Sequence, residues 1–177
     1  LWDTVASFGI PGNDINLGHN LGLAANVERC FHALALDERR FTVPLTRIVQ
    51  DKLTDQDLIT VSDVWFRGFH SDVGGGNQNE ALSSIPLVWM FQRAADAGIA
   101  IPAAHVDHHA RLRNPNAPCQ KARMDIKANR KRPIGIHDLV HESVTRRVKA
   151  DRFAANNPPK GLRIMADNGR ILRRRFK

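Results

Sequence analysis

The chain has 177 residues, 42% of them hydrophobic, with a formal net charge of +8. That is enough for one globular domain with a core, and no apolar run approaches the roughly 18 residues needed to span a bilayer. The two cysteines, Cys30 and Cys119, lie far apart without metal-ligand spacing and read as reduced, buried thiols rather than a bridge. Charge is divided unevenly: residues 1–104 hold 7 Lys/Arg against 12 Asp/Glu, and residues 105–177 hold 19 against 6. The basic half, with runs such as Arg130-Lys131-Arg132 and Arg173-Arg174-Arg175, reads as a solvated surface or as a field that attracts polyanions.

In chain order, Leu1-Trp2 reads as the end of a strand, followed by Asp3. Because the chain opens on a strand end with Leu rather than Met, the expectation is a fragment, in which the lack of a leader sequence carries no information. Phe8 to Gly22, rich in Gly and Asn, reads as a long loop. From Ala24 to Leu36, the spacing of Val27, Cys30, Phe31, Leu34 and Ala35 predicts an amphipathic helix, with His32 packed within it. Ile59 to Phe66 predicts a strand broken by Gly68. Ser83 or Ser84 is expected to cap a helix with Pro86 in its first turn and Gly98 as its stop. Residues 101–133, with four prolines, read as an irregular surface excursion. Ile136, Leu139, Val140, Val144 and Val148 predict one more amphipathic helix, and Asn168-Gly169 a tight turn between two short strands. The alternation in the first hundred residues argues for an α/β fold.

The chemistry concentrates after two predicted strands. His70-Ser71-Asp72-Val73-Gly74-Gly75-Gly76 presents a histidine beyond Val64-Trp65-Phe66, and Asp3 follows Trp2. Open α/β sheets place reactive groups beyond the carboxyl ends of their strands. An acid and then an imidazole in that setting suggest the last two members of a hydrolase triad, in which the carboxylate orients the imidazole and the imidazole takes a proton from a serine. Each residue has a plain alternative: a turn or capping role for Asp3, an inert loop position for His70. Asp72 reads as a residue holding the glycine turn. None of the six serines lies in Gly-x-Ser-x-Gly, so the nucleophile is expected upstream. The cluster His105, Asp107, His108, His109 matches no strong zinc signature, and His137 and His141 read as a helix surface. No metal and no cofactor is expected. The basic half has no zinc-finger spacing and few aromatics for stacking bases, which argues against nucleic acid as a partner.

Several stretches carry a resemblance: Trp2-Asp3-Thr4-Val5-Ala6-Ser7, His32-Ala33-Leu34-Ala35-Leu36-Asp37-Glu38-Arg39, Val64 to Gly76, Leu82 to Met90 and His141-Glu142-Ser143-Val144. In this order they resemble the α/β-hydrolase-like domain typified by type VI secretion phospholipase effectors, from residue 1 to about residue 160. The resemblance implies the C-terminal portion of an α/β-hydrolase-like sheet with flanking helices over residues 1–160. A basic, partly irregular C-terminal region, 161–177, would follow as a tail or short hairpin.

By that resemblance Asp3 matches the triad acid and His70 the triad base, with the serine and oxyanion hole outside this chain. The implied function is serine-type ester hydrolysis, with membrane glycerophospholipids as substrate and the isolated fragment inactive. Implied partners are the ester substrate, an anionic membrane surface, and a secretion-apparatus or immunity protein. The implied route is synthesis in a bacterial cytoplasm and delivery to a target cell envelope. The alternative is a non-catalytic or truncated module that binds anionic lipid or nucleic acid through its basic C-terminal region.

Overall fold

A computed structural model describes residues 1–5, 23–40, 43–48, 54, 57, 60–119, 131–147 and 156–177. The expected loop at 8–22 lies outside the described residues. The centre is a five-stranded sheet, β1 (Cys30–Ala35), β2 (Val61–Phe66), β3 (Leu139–His141), β4 (Arg163–Met165) and β5 (Ile171–Arg175), in spatial order 1-2-3-4-5. The first four strands run parallel and β5 runs antiparallel to β4. Trp2 bridges Ala33 in parallel on the outer side of β1, which brings Asp3 to the carboxyl end of the sheet. Helices α1 (His70–Gly74), α2 (Glu80–Asp96), α3 (Ala103–Leu112) and α4 (Glu142–Arg146) complete an α/β architecture.

The residues between Ala24 and Leu36 correct the expected helix: Cys30–Ala35 is a strand. Phe31 through Leu36 are all buried, because a parallel strand is covered on both faces. An unbroken apolar run satisfies helical and extended spacing alike, and pairing with β2 decides between them. Alternate residues divide between two cores. Phe31, Ala33 and Ala35 join Val64, Phe66 and Trp89 of α2 on one side. Leu34 and Leu36 join Trp65, Val140 and Ile164 on the other.

Three further expectations change. Helix α2 starts a turn earlier, at Asn79, whose side chain is tied to Asp72. Pro86 is therefore inside the helix, where it is buried and supplies no amide for the i→i−4 hydrogen bond to Leu82. The excursion after Ile101 contains α3, although no residue of that helix is buried. The amphipathic helix expected from Ile136 is instead β3 followed by the short α4: Leu139–His141 pair between β2 and β4, and that pairing consumes the apolar run. The hairpin through Asn168-Gly169 is present, and its first strand extends the sheet beside β3. Gly169 takes φ +76°, which the turn requires.

Candidate active site

The carboxyl end of the sheet gathers Asp3, Asp37, Glu38 and His70. Asp3 sits in the left-handed region (φ +43°), which aspartate tolerates better than most residues, and is wholly buried. Its amide donates to the Ala33 carbonyl (2.7 Å), and its Oδ1 accepts the Ala35 amide (2.7 Å). The backbone turn thus aims the carboxylate back across the end of β1. Oδ2 lies 2.7 Å from Nδ1 of His70. Arg132 grips the same carboxylate from the far side, with Nη1 on Oδ1 and Nη2 on Oδ2 (3.0 Å). Burial pushes the Asp3 carboxyl up, but the His70 hydrogen bond, the Arg132 charge and the Ala35 amide outweigh it and hold the group below its ordinary range.

His70 begins α1 rather than lying in an open loop. Its amide donates to Glu38 Oε2 (3.1 Å), and the Phe69 amide donates to Asp72 Oδ2 (3.0 Å). The other oxygen of Asp72 accepts from the side chains of Asn77 and Asn79 (2.8 Å each). Asp72 therefore caps the helix and ties down the following loop through Asn77 and Asn79. Asp37 closes the strand ends by accepting from Gly68 N (2.9 Å) and from Arg67 (2.8 Å). Gly68 is obligatory, because at φ +121° an added Cβ would meet the Asp72 Cβ at 2.5 Å.

The described residues contain three imidazole–carboxylate–arginine groupings, and exposure separates them. In the first, His70 with Asp3 and Arg132, 36% of the imidazole side chain is accessible. Its Nε2 has no hydrogen-bond partner among the described residues. In the second, His32 faces Asp63 across the β1–β2 register (Nδ1 to Oδ1, 3.1 Å) and is fully buried. Its Nε2 accepts the Thr4 amide (2.9 Å), and Arg47 bridges Asp63 to Asp138. Trp65 Nε1 also donates to Asp138 (2.9 Å). This network holds the backbone directly after Asp3. The expectation of His32 within a helix is replaced by a buried strand position.

In the third, His141 ends β3, stacks on Phe66 and is 1% exposed. Its Nδ1 accepts from the Ser143 amide (3.2 Å) and lies 2.8 Å from the Ser143 hydroxyl. Its Nε2 is 3.0 Å from Asp167 Oδ1 without the alignment of a hydrogen bond. Arg113 holds the other Asp167 oxygen (2.6 Å). Burial pushes the imidazole pKa down. Burial would raise the Asp167 carboxyl, but His141 and Arg113 bring it to about 2. Instead of the expected helix surface, His141 occupies a buried strand end and caps α4 by accepting the Ser143 amide. His141, Glu142 and Asp167 offer ligand atoms within 4.8 Å of one another, but Arg113 and Arg146 already pair with the two carboxylates. On α3, His109 bonds Ser84 (3.0 Å) while His105 and His108 are exposed, so that histidine cluster does not converge.

Sequence reasoning brought forward Asp3 and His70 but missed Arg132, which it counted in a solvated basic run; Arg132 is 8% exposed. No spacing signal marks it, since its partners lie at residues 3, 35 and 43. Glu38 stands within one of the quoted stretches, yet its hold on the His70 amide is visible only in three dimensions.

The family model described as "T6SS, Phospholipase effector Tle1-like, catalytic domain" matches residues 1–93, a span that contains both Asp3 and His70. No curated protein and no solved structure matches the chain. No helix among the described residues is long and apolar enough to cross a membrane. With over half its length matched, the chain belongs to the family of the type VI secretion Tle1-like phospholipase effector catalytic domain.

Proposed function

We propose that this chain supplies the acid and the base of a serine-type ester hydrolase acting on acyl esters of membrane glycerophospholipids, with the serine contributed from outside these residues. One observation carries the reading. Of the three imidazole–carboxylate pairs, His70–Asp3 alone leaves a ring nitrogen unbonded among the described residues on a half-exposed imidazole. With Nδ1–H donated to Asp3, the lone pair of the neutral ring resides on Nε2, the form a general base requires.

Nε2 takes the proton of the serine hydroxyl as the oxygen attacks the ester carbonyl. The imidazolium is stabilised by Asp3, and the same proton passes to the leaving alcohol as the acyl–enzyme forms. Water then attacks the acyl group by the same route in reverse, releasing the fatty acid. Position at the carboxyl end of a parallel sheet, where such folds bind substrate, agrees with this assignment.

The test is fatty-acid release from phospholipid vesicles by the full-length protein and its His70→Ala variant. Turnover is expected to vanish in the variant while the thermal midpoint stays nearly unchanged, because the ring is half exposed. Retained turnover overturns the assignment. Family membership further supports delivery to a target cell envelope.

The exposed arginines of β5, Arg173, Arg174 and Arg175, support contact with an anionic bilayer, at about 1 kcal/mol per cation near the surface. That contact predicts salt-sensitive sedimentation with anionic vesicles. Equal sedimentation with neutral vesicles would remove it.

A further inference from the structure

Arg132 lies well beyond the family match, which ends at residue 93, yet it reaches the centre of the candidate site. Its guanidinium is buried among acceptors: both oxygens of Asp3, the Ala35 carbonyl (2.8 Å) and the Val43 carbonyl (3.2 Å). Its own carbonyl accepts from the Asn156 side chain (3.1 Å), which also donates to the Leu36 carbonyl (3.0 Å). Segments around residues 3, 35 and 43 therefore meet at one cation, and Asn156 holds the backbone of the residue that carries it. Among the described residues, no other arginine or lysine bonds Asp3.

We propose that Arg132 is a positioning residue for the reaction at His70: its two-pronged contact fixes the plane of the Asp3 carboxylate, leaving Oδ2 facing the His70 Nδ1–H. The inference rests on the assignment of Asp3 and His70 made above. An aspartate carboxylate turns broadly about its last torsion, and backbone contact at Oδ1 alone does not set that angle. A planar guanidinium matches both oxygens at once, which an ammonium cannot do. The clamp also gives a wholly buried carboxylate a countercharge that the neutral imidazole does not supply. Arg132 touches neither substrate nor reacting atoms, so its effect passes through Asp3 to the imidazole.

The experiment compares wild type, Arg132→Ala, Arg132→Lys and His70→Ala in the full-length protein. Two quantities are read: kcat and KM for fatty-acid release from phosphatidylglycerol–phosphatidylcholine vesicles, and the downfield Nδ1 proton resonance of His70. Arg132→Ala is expected to lower kcat about 10- to 100-fold, the scale of a misplaced catalytic group, with KM held within about twofold. Its Nδ1 proton should be lost to exchange. Arg132→Lys should recover only part of both, and guanidinium ion at sub-denaturing concentration should restore turnover to Arg132→Ala. Should Arg132→Ala not fold, Arg132→Lys, which keeps the charge without the fork, carries the same comparison.

Wild-type kcat and an unchanged Nδ1 proton in Arg132→Ala, beside a dead His70→Ala, would overturn the clamp and leave the function standing. If wild type cleaves no ester, the function falls. The Nδ1 proton then decides the clamp by itself: loss in Arg132→Ala upholds it, and persistence refutes it.

Discussion

Replacing Asp3 by Asn changes one atom and should abolish both the site and part of the stability. Four donors converge on the two carboxylate oxygens: the Ala35 amide and Arg132 Nη1 on Oδ1, and the His70 ring and Arg132 Nη2 on Oδ2. A carboxamide offers one oxygen, so its NH2 group must oppose two of those donors. If the oxygen stays with Ala35, the NH2 group faces His70 Nδ1 and forces the ring to carry its proton on Nε2, where it cannot act as a base. The known cost of that wrong tautomer in a hydrolase triad is about 10⁴-fold in kcat. Arg132 would keep the carboxamide oxygen and the Ala35 and Val43 carbonyls as acceptors, but its Nη2 would face the NH2 group and its countercharge would be gone, a loss of about 3–5 kcal/mol when one partner of a buried pair is removed. The assay is kcat per folded molecule, measured below the unfolding midpoint, with the midpoint recorded separately. Asp3→Asn combined with His70→Ala should be no worse than His70→Ala alone, since residues that act as a unit are not additive. An Asp3→Asn protein within tenfold of wild-type kcat would refute the tautomer argument.

Gly68→Ala should lose about 2–6 kcal/mol in denaturant titration, from the left-handed backbone and from the 2.5 Å approach to the Asp72 Cβ, which is too near its own backbone to swing away. A loss under about 1 kcal/mol would show that the turn before His70 is free to relax. His141 gives a pH dependence of fixed sign. Its folded pKa lies below the ordinary 6.5, because burial disfavours the cation. Stability should therefore be level above pH 6.5 and fall as pH drops below it, at no more than about 1.4 kcal/mol per unit for this one proton. His141→Gln should flatten that part of the stability curve, and an unchanged slope would place its origin elsewhere. Asp167 acts lower: its support is present above 3.8 and lost as pH falls through about 2.

The candidate site residues Asp3 and His70 were legible because their signals are local. A strand of branched and aromatic residues, a glycine break and a histidine need no tertiary information to be placed near one another, and the same holds for Trp2-Asp3. The α/β class was reached from an alternation whose first helix, Ala24 to Leu36, is in fact β1, whereas the Asn168-Gly169 turn followed from its own preference for positive φ. The sequence did not determine whether an apolar run such as Phe31–Leu36 or Leu139-Val140 is strand or helix, since a segment buried on all sides has no polar face to reveal its period. Pairing with β2 settled both. Nor could spacing reveal Arg132, whose burial depends on Asp3 offering a countercharge across more than a hundred residues of chain. A buried cation and a surface cation have the same side chain; only the packed structure decides which of 26 Lys and Arg residues meets a carboxylate out of water.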